Sequence, residues 1–452
     1  MTALQQYIDI YTACEQAFAA HSPQCLTALR PEALQALQGA SLPTKGQEDY
    51  EGTDLEEVFA PDYGVNVNRV DFTADVASAF SCGVPNMSTC QYFFVNDTFS
   101  AGHTARPEKS SGIVVESFAQ AQKNHPEVLK QHLGRLAKLD KPEVALNTLL
   151  AEDGMLVYIP DGVVASKPIQ LVNIYNAAQP VMAVRRILIV VGRGASARML
   201  VCDHTQKPDV SYLASQVVEI VAQEGSTFDY YDLEETGETT HRVSSVFVEQ
   251  QEGSNVLLDG ITLLNGFTRN DYYVDVAGSH CETQLLGMTI ASGRQHVDNH
   301  TLLRHLKPNC NSNEMFKYVL SDHALGAFAG KILVEPGCPK TNAYQGNRNI
   351  LADSTAKMLS KPQLEIYTDD VQCSHGTAIG QLDDEALFYM RTRGIPEAQA
   401  RQMLMQAFVT DVIDGVRLEA LKDRLHHLVE MRFSGQLATC STCNASCMAQ
   451  KH

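Results

Sequence analysis

Cys373 and His375 stand two residues apart in Cys-Ser-His-Gly, Cys373 to Gly376, where an extended run gives way to a helical one. In an extended chain, residues i and i+2 point to the same side. A thiolate and an imidazole on one face can share iron or zinc or act as a Cys–His nucleophile pair. A buried cysteine beside a hydrogen-bonded histidine at a domain junction has the same spacing, and the spacing alone favours that plainer role. A second group lies in GRQHVDNHTLLRHLKPNC, with His296, His300, His305 and Cys310. His296 and His300 would be i, i+4 neighbours on a helix, a metal-like pair. The surrounding texture is β, where i and i+4 still share a face but lie farther apart, so a structural role is expected. The third group is CSTCNASC, with Cys440, Cys443 and Cys447, and His452 beyond. Three thiols and an imidazole suit zinc or a cluster, but a short terminal run rich in Ser, Thr and Asn reads as a disordered tail.

The elements that must position these residues fall into three textures. Through about residue 150 the chain reads as helical or irregular. Leu4, Tyr7, Ile8, Tyr11, Cys14 and Phe18 recur at helical spacing, Leu34 and Leu37 continue a short second helix that stops at Gly39, and a helical stretch is predicted over about 117–150. Residues 40–115 read as irregular. From Asp153-Gly154 to about residue 382 come short β-type runs such as RRILIVV, SQVVEIVAQ and VLLDGITLL. Gly194-Ala195, Gly225-Ser226, Gly253-Ser254 and Gly278-Ser279 each separate two such runs. A repeat of strands and tight turns with a period near 30 predicts a solenoid of stacked β-coils; a jelly roll or other β-sandwich is the competing architecture. Residues 383–433 read as a helical domain. Asp383 is placed to cap its first helix and Gly394 to end it. The next helix carries an apolar face of Ala400, Met403, Leu404, Ala407, Phe408 and Val412. A module of about fifty residues cannot bury such faces by itself, so it packs on the β-domain, on a partner, or on both. Residues 434–452 form the cysteine-containing tail.

Composition narrows the function classes. The chain has 452 residues, 44% hydrophobic and 19% charged, with a net charge of -18. That charge opposes a nucleic-acid partner. No apolar run approaches the roughly 20 residues of a membrane span. The start has neither the basic lead-in nor the apolar core of a signal peptide, so the twelve cysteines are expected to be reduced and the protein cytoplasmic. There is no Gly-x-x-x-x-Gly-Lys-Ser/Thr for phosphate binding, no G-x-S-x-G elbow and no H-E-x-x-H.

The block from about Gly293 to Ile395 resembles the SufB/SufD family, scaffold proteins of the SUF machinery for iron–sulfur cluster assembly. The runs that carry the resemblance are GRQHVDNHTLLRHLKPNCNSNEMFKYVL, AGKILVEPG, KTNAYQGNRNILADSTAKMLSKPQLEIYTDDVQCSHG and IGQLDDEALFYMRTRGI. Through Cys-Ser-His-Gly the resemblance is to the SufD side of that family. The match extends more weakly over 150–292 and into the C-terminal helices. LPTKGQEDYEGTDL, Leu42 to Leu55, resembles the family's entry motif without its tryptophan. Residues 66–105, with Cys82 and Cys90, and the cysteine tail depart from the pattern. The resemblance implies a right-handed parallel β-helix between helical flanks, with no stand-alone catalysis. It implies pairing with a SufB-like protein through the β-helix ends, and docking of a SufC-like ATPase on the C-terminal helices, where Leu387, Phe388, Tyr389, Met403 and Phe408 are the candidate contacts. Cys373 and His375 would then lie at the SufB–SufD interface as candidate ligands for iron or a nascent iron–sulfur cluster shared with SufB, with Glu365 or Asp370 orienting the imidazole and no cofactor held tightly by the isolated chain. A homodimer through the same end is expected for the isolated chain. A metal-dependent β-helix enzyme, faintly supported by Asp369 and Asp370, and a purely structural adaptor are the alternatives.

Overall fold

The run VMAVRRILIVV, Val181–Val191, is buried along its whole length, as a strand covered on both faces requires. In the computed structural model, which describes residues 2–70, 72, 88–100 and 111–435, it is β6 of nineteen strands numbered from β1 (Cys90–Val95) to β19 (Gln372–Gly380). From β4 (Met155–Ile159) onward, successive strands alternate between two sheets. The even-numbered strands form most of a nine-stranded sheet that ends on β18 (Lys357–Ile366), and the odd-numbered ones most of a ten-stranded sheet that ends on β19. Neighbours from β4 on pair in parallel, in register but for one shift between Thr262 and Leu264; Asn311–Asn342–Gln372 is one ladder row. The chain is therefore a parallel β-solenoid, not a jelly roll.

A column of left-handed residues marks the coils. Gly162, Gly194, Gly225, Gly253, His280, Asn309, Lys340 and Asp370 all have positive φ and lie 27 to 32 residues apart. Backbone bonds such as Gly194 N to Glu224 O and Gly225 N to Glu252 O, both 2.8 Å, tie each turn to the next. The fifth of these turns differs from the glycine repeat of the sequence. Its left-handed residue is His280, while Gly278 is needed for close approach, since a Cβ there would fall 2.0 Å from the backbone nitrogen of Glu252.

The solenoid reaches back beyond the texture change at Asp153. β1 pairs in parallel with β5 (Ile169–Tyr175) inside the ten-stranded sheet, so the stretch read as irregular contains both this strand and α4 (Leu55–Phe59). Short apolar runs without helical period do not distinguish strand from loop. The predicted helical stretch over 117–150 divides into α5 (Phe118–Asn124), α6 (Pro126–His132) and α7 (Pro142–Leu150). Pro126 disfavours helix at His125, and Gly134 turns left-handed at φ 75°. These three, with α1 (Ala3–His21), α2 (Gln24–Thr27), α3 (Arg30–Leu37) and α4, form a layer whose Tyr7, Phe18, Leu146 and Leu149 pack on Met182, Leu188 and Leu213 of the nine-stranded sheet's outer face.

The outer face of the ten-stranded sheet is covered by the C-terminal helices, α8 (Asp384–Thr392), α9 (Glu397–Gly415) and α10 (Glu419–Phe433). Val409, Val412, Ile413, Leu421 and Leu425 join Leu257, Leu286, Met288 and Val319 of the sheet in one buried cluster. Lys317, buried on that face, donates to the Phe408 carbonyl at 2.7 Å and to Asp411 at 2.6 Å. Asp383 caps α8 by accepting from the backbone of Glu385 and Ala386, and Gly394 follows the helix with φ 86°. Of the face read from sequence on α9, Ala400 and Val412 are buried, while Met403 is 42% exposed. Among the described residues, no helix is long and apolar enough to cross a membrane.

Candidate functional site

Each sheet of a solenoid must end somewhere, and the two last strands, β18 and β19, have no successor to pair with among the described residues. Their unpaired backbone edges are a template for another chain. Burial falls away accordingly: along β19 only Cys373 is half-buried and every other residue is exposed. Around this end Leu359, Tyr344, Tyr367 and Ile379 are exposed, between 43% and 60%. Large apolar side chains left exposed on several faces around an open sheet end suit a docking surface.

Cys373 and His375 both lie on β19, in rows with Ala343 and Gln345 of β17 (Asn342–Leu351). In β15 (Asn311–Leu320), Phe316, Tyr318 and Leu320 belong to the core between the sheets. The alternation from Phe316 and its row-mates Asn347 and Thr377 puts Cys373, His375 and Thr377 on the inward face of β19. The sequence-predicted pair is thus brought onto one face, at the solenoid's open end. The two residues differ in surroundings. Cys373 packs against the small cluster of Ile332, Val334, Cys338 and Ala343, and burial pushes its thiol pKa up, which disfavours the thiolate a metal needs. His375 is exposed and free of such packing.

Below His375 in the same rows stand Gln345 and then Glu314. Both are buried, at 3% and 1% exposure. Glu314 accepts from Gln345 Nε2 at 2.6 Å and from Thr301 Oγ1 at 3.2 Å, and burial pushes its pKa up to about 7. Gly330 on the facing sheet makes room for the amide, because a Cβ there would lie 2.5 Å from Gln345 Nε2. Beside this column Ser360 of β18 donates to Asn347 Oδ1 at 2.7 Å and shares a 2.8 Å bond with Thr377 of β19. Sequence reading missed Glu314 and Gln345. The signal was there: Glu314 keeps the phase of Phe316 and Tyr318, so a carboxylate occupies a core position.

The other candidates go elsewhere. His296 and His300 are on the outer face of the nine-stranded sheet. His300 lies 3.2 Å from Asp271 and 3.5 Å from Asp49, within the ion network that fastens the segment around Asp49 to the sheet; Arg269 contacts Asp271 and Asp298 there. His305 is inside, 2.9 Å from Ser312 Oγ, and burial pushes its pKa down to about 4. Cys310 donates to the Gly278 carbonyl at 3.2 Å. These four do not converge, and among the described residues no three His, Cys, Asp or Glu side chains are grouped to hold a metal ion. Glu365 is committed to Lys331 at 3.1 Å on the outer face, and Asp370 occupies a left-handed turn whose carbonyl accepts from Lys340 at 2.7 Å; the residue in the row beneath His375 is Gln345, not either of these. Cys90 is buried in β1. Cys82, Cys440, Cys443, Cys447 and His452 lie outside the described residues.

On the C-terminal helices Phe388 and Tyr389 are 68% and 58% exposed, side by side on α8, and Met403 is exposed on α9. Leu387 is buried and Phe408 half-buried, which leaves Phe388, Tyr389 and Met403 as the accessible ones of the five.

Comparison with known proteins agrees with this geometry. Residues 173–408 match the family model described as "SUF system FeS cluster assembly, SufBD core domain", and residues 1–171 match the SufBD protein N-terminal region. An iron-sulfur cluster assembly SufBD family protein of Synechocystis is 29% identical over 414 residues, 89% of this chain and 90% of that protein. The iron-sulfur cluster assembly protein SufD of Escherichia coli is 35% identical over 167 residues, 37% of this chain and 40% of that one. The chloroplastic protein ABCI7 of Arabidopsis thaliana is 26% identical over 294 residues, 63% of this chain and 62% of that one. The chain belongs to the SufB/SufD family of the SUF system for iron–sulfur cluster assembly, and within it is SufD-like.

Proposed function

We propose that this chain is the SufD-type subunit of a SUF scaffold. It pairs through β18 and β19 with a SufB-type protein and presents α8 and α9 to a SufC-type ATPase. The observation that carries the reading is the exposed His375 on the inward face of the last strand, at the same open end that leaves Leu359, Tyr367 and Ile379 exposed. A neutral imidazole at the meeting point of two chains is a ligand for iron, and thiolates from the facing chain complete the set. The nascent cluster is cargo, built between the subunits and passed on. The chain itself contributes position and a ligand rather than a catalytic group. A cytoplasmic location follows from the reduced thiols such chemistry needs, and the net charge of -18 keeps nucleic acid out of the partnership.

The test is iron and sulfide content of the co-expressed complex, with complex yield as control. His375→Ala lowers cluster content strongly, about tenfold or more for a lost ligand, at unchanged yield. Cys373→Ala has the smaller effect, because its thiol is packed against Val334 and Cys338. Normal cluster content in His375→Ala defeats the reading and leaves the chain a structural adaptor.

A further inference from the structure

The buried oxygens beneath His375 have a direction built into them. Gln345 turns its NH2 down toward Glu314, which accepts from it at 2.6 Å; once ionised, the carboxylate can only accept hydrogen bonds and holds the amide in that sense. The amide oxygen is thereby turned away from Glu314. Gln345 Oε1 is buried and has no hydrogen-bond partner among the described residues, and Glu314 Oε1 likewise has none. A buried carbonyl without a donor is costly, about 1–3 kcal/mol. The next residue along the same row, on the same face, is His375, one strand spacing away, about 4.8 Å. In the structure the ring makes no hydrogen bond to this oxygen; a side-chain rotation of His375 is what would bring a ring N–H to it.

We propose that Gln345 and Glu314 are positioning residues for His375: the carboxylate orients the amide, and the amide oxygen accepts the proton-bearing ring nitrogen, fixing the tautomer and aiming the other nitrogen at the partner side. This deepens the iron-ligand reading of His375 and rests on it for its functional meaning, but the tautomer itself does not depend on any cargo. A ligating histidine held through its second nitrogen is the general way such rings are oriented. Orienting Gln345 also gives a task to a carboxylate at a core position, which burial alone disfavours. Glu314 faces no cation among the groups it touches; its contacts are Gln345 and Thr301, with His300 acting on it from the nine-stranded sheet.

The test uses the full chain labelled with nitrogen-15 at histidine, at pH 8, above the value of about 7 to which burial pushes the Glu314 pKa. The ring-nitrogen shifts of His375 are expected to show one dominant tautomer. Gln345→Met keeps the length and loses the amide, and is expected to return His375 to a mixture of tautomers. Glu314→Gln keeps the shape but lets Gln345 flip, because an amide both donates and accepts, and is expected to produce an intermediate mixture. Unchanged signals of buried His305 report that the fold is intact. A His375 tautomer ratio unmoved by Gln345→Met overturns the proposal; a shift with Gln345→Met but none with Glu314→Gln overturns the part assigned to the carboxylate. In the complex with its SufB- and SufC-type partners, iron content is expected to fall at least threefold in Gln345→Met. If the tautomer shifts as expected while His375→Ala still assembles clusters, the positioning stands and the ligand role of His375 fails.

Discussion

At the scale of single residues, burial decides which polar groups can carry charge. Asp259 shows this away from the candidate site. It is buried in the cluster beneath the C-terminal helices, between its row-mates Tyr231 and Leu286. Neither of its carboxylate oxygens has a hydrogen-bond partner among the described residues, and burial pushes its pKa up to about 8. A carboxyl whose folded pKa lies above its unfolded value favours the folded state while protonated. That stability is fully present below the unfolded value, near pH 4, and is lost as pH rises toward 8. Asp259→Asn is therefore expected to leave stability nearly unchanged at pH 4 and to raise it at pH 8 by roughly 5 kcal/mol. Denaturant unfolding at the two pH values checks this; an equal effect at both would show that the carboxyl is not protonated in the fold. The contrast between Cys373 and His375 rests on the same physics. The cysteine sits in an apolar cluster that holds it as a thiol, and the histidine is in solvent where a metal can reach it.

At the scale of elements, the C-terminal helices have two faces with different tasks. α9 and α10 cover the ten-stranded sheet through Val409, Val412, Ile413, Leu421 and Leu425. The whole module can therefore not be removed without uncovering Leu286, Met288 and Val319. Truncation before Asp383 is expected to give an aggregating solenoid, seen by light scattering. α8 is the more separable element, with Phe388 and Tyr389 exposed on its free side. Replacing both with Ser is expected to abolish co-purification with the SufC-type ATPase while shifting the thermal midpoint by no more than about 2 °C, since surface changes cost little. Retained co-purification would move the dock elsewhere on the chain. The capping of α8 by Asp383 and its glycine stop were legible in the sequence because both are local chemistry. The side of α9 that faces the sheet was not. Ala400 and Val412 are buried but Met403 is exposed, and a helix with two apolar faces does not say which one its own sheet will take.

At the scale of the whole molecule, the solenoid is closed along its length by helical layers and open at β18 and β19. Unpaired edges and exposed Leu359, Tyr367 and Ile379 predict that the isolated chain forms a homodimer at micromolar concentration by pairing these ends, imitating the contact with a SufB-type partner. Leu359→Lys with Ile379→Lys is expected to yield a monomer by light scattering and to prevent the heteromeric pairing as well. A wild-type monomer, or a dimer that survives both substitutions, would remove this end as the interface.

The β-solenoid itself was written in the sequence, because stacked coils repeat one local pattern: apolar runs of about ten residues and a left-handed turn about every 30, with glycine at Gly194, Gly225 and Gly253. The family was legible in the block from Gly293 to Ile395, and with it the candidate pair Cys373 and His375. Three things were decided only by tertiary structure. β1 joined the sheet from a segment without periodicity, because its partner β5 is more than seventy residues away in sequence. The histidines of β14 (His296–His305) separated to opposite faces of their sheet, since register, not proximity in the chain, sets what a strand residue meets. And the column Glu314–Gln345–His375 exists only because coils of about 30 residues stack in register, bringing into one row three residues that no local pattern connects.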